Sequence, residues 1–399
     1  KELALLKGRV DGLDARVGVL EASKFSTTTK LSGIASMVIG GVSNGAIAGT
    51  DGQVPANGDH LTFNYNVNLN LDTSFSGKDL LRTTLRSNNF QKSVFGEDGT
   101  AALEDAAEPS NVGADAVAIS RLFYQFPIGE NVTATIGAKV RQDDMLAIWP
   151  SVYPTDTVLD VLTYAGAPAA YNANLGAGAG VWWKSNGFAI SANYVAANGD
   201  SGNPQQGGIG TDGAGGTGTV QIGYSAEQWA IAAVYSSIQN ANDLIVDGTN
   251  FSLESFSNAG NTSAFGLSGY WQPAQSGWLP SISAGWGINS TTYSGEVEDR
   301  GLVSTSQSWS VGLQWQDAFL AGNALGMAVG QPVFATSLVG GDTPRDGGVV
   351  WEWWYKLQVT DNIAVTPALF YLSRPLGGDT PNGQGFNQLG GLIKTSFSF

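Results

Sequence analysis

The sequence contains no cysteine, a single histidine and few charged residues, which make up 13% of its 399 positions. The lack of cysteine excludes disulfides and thiol chemistry and is compatible with an oxidising envelope compartment. A soluble domain usually has about 25% charged residues, so this chain is poor in charge. No run of apolar residues approaches the length of about 18 that a membrane-spanning helix requires. If the chain lies in a membrane, it must therefore cross as a closed sheet.

Candidates for catalysis and cofactor binding are also scarce. His60 has no nucleophile at a recognisable spacing, and the glycine-rich run 207–218 lacks the strand-to-helix context of a phosphate loop. Acidic loop residues such as Glu104 and Asp105 could bind a divalent cation, but a solvated loop over 89–114 is the simpler interpretation. The net charge of −15 argues against nucleic-acid binding. We therefore predict a protein that is not an enzyme and that holds no cofactor or metal.

The main positive signal is an alternation of apolar and polar residues over 61–71, LTFNYNVNLNL. One face of such a strand carries only Leu, Phe, Tyr and Val, and the other carries one Thr and four Asn. The pattern predicts an apolar face toward lipid and an uncharged polar face toward a confined aqueous space. A half-buried strand of a soluble barrel or sandwich fits this segment equally well, so repetition along the chain must decide.

The alternation recurs along the whole chain, and short turns such as 127–131 alternate with long loops. This asymmetry is typical of bacterial outer-membrane barrels. We predict an all-β fold, a transmembrane antiparallel β-barrel of about sixteen strands over residues 25–399. The predicted strands are 30–40, 59–72, 78–88, 115–127, 131–141, 174–184, 187–197, 218–226, 228–238, 262–272, 280–290, 305–316, 324–334, 348–360, 362–373 and 386–399.

Residues 1–24 follow a different pattern, a heptad seam. Its apolar positions are Leu3, Leu6, Val10, Leu13, Val17 and Leu20. The spacing predicts a short coiled-coil helix, and a parallel homotrimer is the state that we favour. The alternative is an amphipathic helix that packs on its own domain.

The run LLKGRVDGLDARVGVLEA followed by FSTTTKLSG, the stretch TDNIAVTPALFYL and the last strand with its terminal Phe399 resemble cyanobacterial outer-membrane porins. Those proteins carry an S-layer-homology domain, a coiled coil and a barrel related to the carbohydrate-selective porins. The resemblance implies a place in the cell outer membrane, contact with its lipid, and a periplasmic N-terminal helix. The S-layer-homology domain is not in this sequence, so peptidoglycan binding cannot be assigned to these residues. Because no signal peptide begins at Lys1, we interpret the chain as a processed or truncated product.

The connection 142–173 is too apolar for a solvated loop, and its prolines forbid a continuous strand. We predict that it folds back into the barrel and narrows it. The glycines Gly176, Gly178 and Gly180 on the next strand would make room for it, unless they mark bulges or bends. The candidate constriction residues of this loop are Asp143, Asp144, Trp149, Tyr153, Asp156 and Asp160, of which Trp149 and Tyr153 could stack on a sugar.

Basic residues fall on the polar faces of the predicted third, fourth and fifth strands: Arg82, Arg86, Arg121, Lys139 and Arg141. A charge that faces lipid near mid-bilayer costs about 2–4 kcal/mol, so we place these side chains inside. A basic wall opposite an acidic loop would create a transverse field, although some arginines could merely tie the loop to the wall. We predict a passive diffusion channel for small hydrophilic solutes and inorganic ions, with sugars as candidate solutes. The alternative is a structural tether of the outer membrane with a largely closed barrel.

Overall fold

In the computed structural model the chain forms a closed barrel of sixteen strands. The structure describes residues 28–44, 60–96, 100–106, 113–154, 158–241, 244–258, 260–293, 301–381 and 385–399. The strands are β1 (Thr29–Asn44), β2 (Thr62–Thr73), β3 (Leu80–Asn88), β4 (Ala118–Ile128), β5 (Val132–Arg141), β6 (Leu175–Ser185), β7 (Phe188–Ala196), β8 (Gly216–Ser225), β9 (Trp229–Gln239), β10 (Gly260–Trp271), β11 (Ser281–Tyr293), β12 (Val303–Gln316), β13 (Ala324–Leu338), β14 (Val350–Thr360), β15 (Ile363–Ser373) and β16 (Asn387–Ser398).

Every strand pairs antiparallel with its neighbours in sequence, and β1 pairs with β16 to close the ring. At this seam Gly33 N donates to Phe399 O at 2.8 Å, and Phe399 N donates to Gly33 O at 3.0 Å. The predicted fold class and strand number are confirmed. The predicted coiled coil over 1–24 lies outside the described residues.

The two faces of the wall are oriented as the alternation predicts. Leu61 and Phe63 are 76% and 67% exposed on the outside, whereas Asn64 and Asn66 are buried on the inside. A soluble barrel or sandwich would bury those apolar side chains, so that alternative is wrong. Exposed tryptophans lie beside the short turns at the ends of β6, β9 and β10, namely Trp183, Trp229 and Trp271, as in an interfacial aromatic girdle.

Short turns and long loops alternate around the ring, so all the long loops lie at one end. Four of them matter here: loop 2 (residues 89–117), loop 3 (142–174), loop 5 (240–259) and loop 7 (339–349). Loop 5 contains one helix, α1 (Asn250–Phe256), whose N-terminus is capped by Thr249. The buried carboxylate of Asp346 in loop 7 accepts hydrogen bonds from Thr249 and Ser252 at 2.9 and 2.7 Å, which ties loop 7 to α1. No helix in the described part of the chain combines the length and the apolar character needed to cross a membrane.

Loops 2 and 3 both enter the barrel, and they pair with each other inside it. Leu103 and Leu159 form an isolated antiparallel bridge. It is flanked by hydrogen bonds from Glu104 N to Val158 O at 3.2 Å and from Asp160 N to Ala102 O at 3.0 Å. The expected infolding of 142–173 is therefore seen in the structure. The solvated-loop interpretation of 89–114 is wrong for its described residues around Glu104, which lie in the lumen.

Loop 3 rests on a strip of small residues on the inner faces of β10, β11 and β12. Ser268 Oγ donates to Ala165 O at 2.7 Å, and Ser308 Oγ donates to Gly166 O at 3.0 Å. A Cβ on Gly285 would lie 1.8 Å from Ala165 O, so only glycine permits this approach of two backbones.

The glycines of β6 have two different roles. A Cβ on Gly180 would lie 2.9 Å from Met145 Sδ of loop 3, so this glycine does make room for the loop. A Cβ on Gly176 would instead meet Ala196 O of the neighbouring strand at 2.0 Å. The prediction of an inner surface adapted to an inserted loop thus holds at Gly180, and the larger seat for the loop lies on β10 to β12.

Candidate functional site in the barrel lumen

Loop 2 is held across the lumen by a buried ion pair. Lys394 Nζ of β16 donates to Asp105 Oδ2 at 2.8 Å, and Ser36 Oγ of β1 donates to Asp105 Oδ1 at 2.6 Å. Arg86 Nη2 of β3 donates to Glu104 O at 2.9 Å. Burial would raise the pKa of Asp105, but the Lys394 ammonium lowers it below its ordinary value. The carboxylate therefore stays charged and keeps loop 2 against the wall.

Loop 3 is anchored at its start and at its middle by buried polar side chains. Gln142 Nε2 donates to Ala170 O at 2.8 Å within the loop and to Thr219 Oγ1 of β8 at 2.6 Å. Glu352 of β14 is fully buried and accepts from Leu159 N at 2.9 Å and from Tyr153 Oη at 2.5 Å. A buried carboxylate without such donors would be strongly unfavourable, so these contacts fix the loop to both sides of the barrel.

Three of the five predicted basic residues, Arg82, Arg121 and Arg141, are paired with carboxylates. Arg82 Nη2 lies 2.7 Å from Asp72 Oδ2 on the adjacent strand. Arg121 Nε lies 2.7 Å from Asp144 Oδ2, which joins β4 to loop 3. Arg141 makes a bidentate pair with Asp143, at 2.5 and 2.6 Å. The pairs of Arg121 and Arg141 hold loop 3 against the wall. Because each positive charge lies at contact distance from a negative one, the predicted transverse field across the lumen is weak.

The fifth predicted basic residue, Lys139, does not belong to the wall. The pairing of β4 and β5 shifts register between Leu122 and Phe123, so Lys139 lies opposite Leu122. Residues that pair across neighbouring strands share a face. Leu122 pairs with Thr83, Thr83 with Leu71, and Leu71 with the exposed Leu31, so Leu122 lies on the outer face. The β-bulge near Ala138 inserts one residue, so Lys139 takes the outer face and the fully buried Val140 takes the inner face, whereas the side chain of Arg141 at the strand end still reaches the lumen. Assignment of Lys139 to the lumen is therefore wrong.

The two aromatic candidates of loop 3 differ in accessibility. Tyr153 is 5% exposed, and its hydroxyl group is bound to Glu352 and accepts from Trp354 Nε1 at 2.8 Å. It cannot stack on a sugar without breaking these bonds, so that expectation is wrong for Tyr153. Trp149 is only partly buried, packs against Tyr171 with ring centroids 5.0 Å apart, and lines a cavity. Asp156 lies outside the described residues.

Two polar cavities lie on either side of the joined loops. The first, of about 180 Å³, is bordered by wall residues of β2, β14 and β16 together with Arg86, Glu104, Asp105 and Lys394. The second, of about 260 Å³, is lined by Arg141, Asp143, Trp149, Thr163, Tyr164, Tyr171, Ala173 and again Glu104. Glu104 is thus the residue common to both cavities.

Three loops each bring one carboxyl group to this region: Glu104, Asp160 and Asp247. Glu104 shares a side-chain hydrogen bond with Asp160. Burial, reinforced by Asp247, raises the pKa of Asp160 to about 6, and burial with Glu104 raises the pKa of Asp247 to about 7. Within the described ranges no group of three or more His, Cys, Asp and Glu residues is arranged to hold a metal ion.

These raised pKa values predict a barrel that becomes more stable on acidification from pH 8 to pH 5. An unfolded Asp has a pKa near 3.8, so between about pH 4 and pH 7 the folded chain binds more protons than the unfolded chain, and stability falls as pH rises. The expected change in unfolding free energy is on the order of 2–4 kcal/mol. Urea titrations in lipid vesicles measure it. The Asp160→Asn and Asp247→Asn variants should flatten the dependence, and an unchanged slope in both would contradict this origin.

Sequence reasoning missed Asp105, Lys394 and Glu352 as residues that position the constriction. Lys394 and Glu352 stand on the inward face of strands that were correctly predicted, so strict alternation could have identified them. Asp105 gave no such signal, because a carboxylate in an acidic irregular segment is usually solvated.

The chain is similar to known proteins in both sequence and fold. The OprB family of carbohydrate-selective porins matches residues 1–399. Uncharacterized proteins of Nostoc and Synechocystis are 28% and 29% identical and align with all of this chain and with 70% and 74% of their own lengths. Pseudomonas putida OprB, in its high-pH structure, has a TM-score of 0.61 at 11% identity, with 98% of this chain and 97% of that chain covered. A trimer form of Vibrio cholerae OmpT has a TM-score of 0.54 at 8% identity, with coverage of 93% and 99%. At these identities the solved structures share the fold.

Proposed function

Because the chain belongs to the OprB family of carbohydrate-selective porins, an outer-membrane barrel family, we propose that it is a passive diffusion channel for small hydrophilic solutes and inorganic ions. The observation that carries the proposal is the pair of polar cavities inside a wall whose outer face is apolar. Water and hydrated ions are stable in such cavities and unstable in the surrounding lipid. Loops 2 and 3 together narrow the path between them.

The proposal is tested by single-channel recording of the purified protein in planar bilayers. Small, uniform, ohmic conductance steps in KCl are expected, since two loops occupy the lumen. Complete absence of steps from correctly folded protein would refute the channel and would leave the structural tether as the remaining function. Folding is checked independently by the heat-modifiable mobility of the barrel on a gel.

Sugars are the solutes that the family name suggests, and Trp149 is the residue that supports this extension. Its ring borders the larger cavity, and its Nε1 group is buried without a hydrogen-bond partner among the described residues. Aromatic rings in polar cavities offer a flat apolar surface to a sugar ring, and the indole N–H offers a donor. Liposome swelling should be faster for a monosaccharide than for a neutral amino acid of similar size. Equal rates would remove the sugar preference and leave the general channel.

The assembly that we propose is a homotrimer, with the residue 1–24 helix on the periplasmic side. Its support is the heptad seam in the sequence and the trimer form of the structurally similar OmpT. Both chain ends of the barrel lie at the short-turn end, which porins place toward the periplasm. Light scattering in detergent, with and without residues 1–24, measures the oligomer and the contribution of the helix.

A further inference from the structure

Glu104 occupies the junction of the two cavities, and its backbone is fixed from both sides. The peptide N–H donates to Val158 O of loop 3 at 3.2 Å, and the carbonyl accepts from Arg86 of the wall at 2.9 Å. The residue borders the cavities of about 180 and 260 Å³ alike. The side chain of Glu104 therefore lies where the two cavities adjoin.

Most positive charges near this junction are neutralised by carboxylates at contact distance. Arg121 is paired with Asp144, Arg141 with Asp143, and Lys394 with Asp105. The field of a pair at 2.5–2.8 Å decays faster with distance than that of a single charge, so these cations have little effect on an ion in the cavities.

The surroundings of Glu104 contain more acid than unpaired base. Asp160 of loop 3 and Asp247 of loop 5 face it, as does the Tyr164 hydroxyl group. The facing cations are Arg86, which binds the Asn66 amide and loop carbonyls, and Arg141, which is already paired. Lys356 of β14 also lines the smaller cavity, so the three carboxyl groups of Glu104, Asp160 and Asp247 face two cations, Arg86 and Lys356, besides the paired Arg141 and Lys394. The junction therefore has an excess of negative charge when its carboxyl groups are ionised.

We infer that Glu104 determines the ion selectivity of the channel by attracting monovalent cations to the junction of the two cavities and repelling anions. This inference rests on the proposed channel function. A side chain that borders both cavities acts directly on an ion in either of them, whereas charges elsewhere act only through screened fields. Glu104 thus has a larger effect than any arginine of the wall.

The experiment measures reversal potentials of the full chain in planar bilayers under a KCl gradient at pH 8. The wild-type protein is expected to prefer K⁺ over Cl⁻. Glu104→Gln, which keeps the size and removes the charge, should lower the permeability ratio several-fold toward unity, and Glu104→Asp should retain the preference. Glu130→Gln is the matched control, because Glu130 is exposed in a short turn outside the lumen.

Repeating the measurement at pH 5 separates a selectivity role from a structural one. Burial and Asp160 raise the pKa of Glu104 well above its ordinary value, so the wild-type preference for K⁺ should weaken on acidification. Glu104→Gln should reduce this pH dependence, and the part that remains comes from Asp160 and Asp247, which titrate at about pH 6 and 7. Asp160→Asn, which removes the charge of the carboxyl group bound to Glu104 and leaves the sequence of loop 2 unchanged, should also lower the ratio at pH 8.

The outcomes distinguish this inference from the proposed function beneath it. If Glu104→Gln gives conductance steps whose permeability ratio and pH dependence equal those of the wild type, the role of Glu104 is overturned and the channel function stands. If Glu104→Gln does not fold, Asp160→Asn decides, and an unchanged ratio in that variant overturns the inference. If folded wild-type protein gives no steps, the channel and the selectivity assignment fail together.

Discussion

Asp105→Asn should increase the single-channel conductance several-fold. Asp105 and Lys394 have side chains only 12% and 6% exposed, so removal of one charge breaks a buried ion pair. Breaking such a pair costs about 3–5 kcal/mol, which weakens the attachment of loop 2 to the wall. Loop 2 would then leave the lumen, while the strand ladder that forms the wall is unchanged. Single-channel recording in KCl measures the effect.

A charge swap tests whether the pair itself holds loop 2. Lys394→Asp alone should also raise the conductance, because it places two carboxylates together. The double variant Asp105→Lys with Lys394→Asp should restore part of the wild-type value. Lys184→Met is the control, since this lysine is exposed at the end of β6. Wild-type conductance in Asp105→Asn, together with lower stability, would mean that the pair stabilises the barrel without narrowing it.

Gly285→Val is expected to displace loop 3 from its seat and to produce the second large increase in conductance. A Cβ at this position would lie 1.8 Å from Ala165 O, and because that oxygen belongs to the backbone, no side-chain rotation relieves the clash. Loop 3 must move away from β11 and lose the hydrogen bonds from Ser268 and Ser308. Limited proteolysis should then cut within loop 3, which is resistant while it is packed in the lumen.

The matched control is Ala284→Val, at the preceding residue of the same strand. Ala284 lies on the exposed outer face, where an added branch meets lipid and not the loop. It should leave both the conductance and the proteolytic pattern unchanged. A Gly285→Val protein that folds and shows wild-type behaviour in both measurements would contradict the packing of loop 3 on this glycine.

The barrel could be predicted from the sequence because a strand of a hollow wall has two different solvents on its two faces. All sixteen predicted strands overlap the observed ones. The infolding of loop 3 was equally accessible, since residues such as Val158 and Leu162 could not remain in water. Both predictions depend only on local composition and period.

The details of the constriction could not be predicted, because they depend on contacts between distant segments. Asp105 and Lys394 are 289 residues apart, and no local pattern links them. The position of Lys139 was wrong for a different reason. A single extra residue at a β-bulge reverses the face of the residues that follow, and the sequence GAKVR carries no mark of it. The sequence allowed two roles for the arginines of the wall, namely creating a transverse field and holding loop 3 against the wall. Only the observed distances to Asp143 and Asp144 distinguish between them.

The seam between β1 and β16 has a consequence for biosynthesis. Its hydrogen bonds join Gly33 of β1 to Phe399, directly after β16, so the ring remains open until β16 is available to pair with β1. Contacts at such a sequence separation form slowly, and until then two strand edges present unpaired peptide groups. The barrel therefore cannot close before β16 is present, and its two open strand edges need protection from aggregation until then.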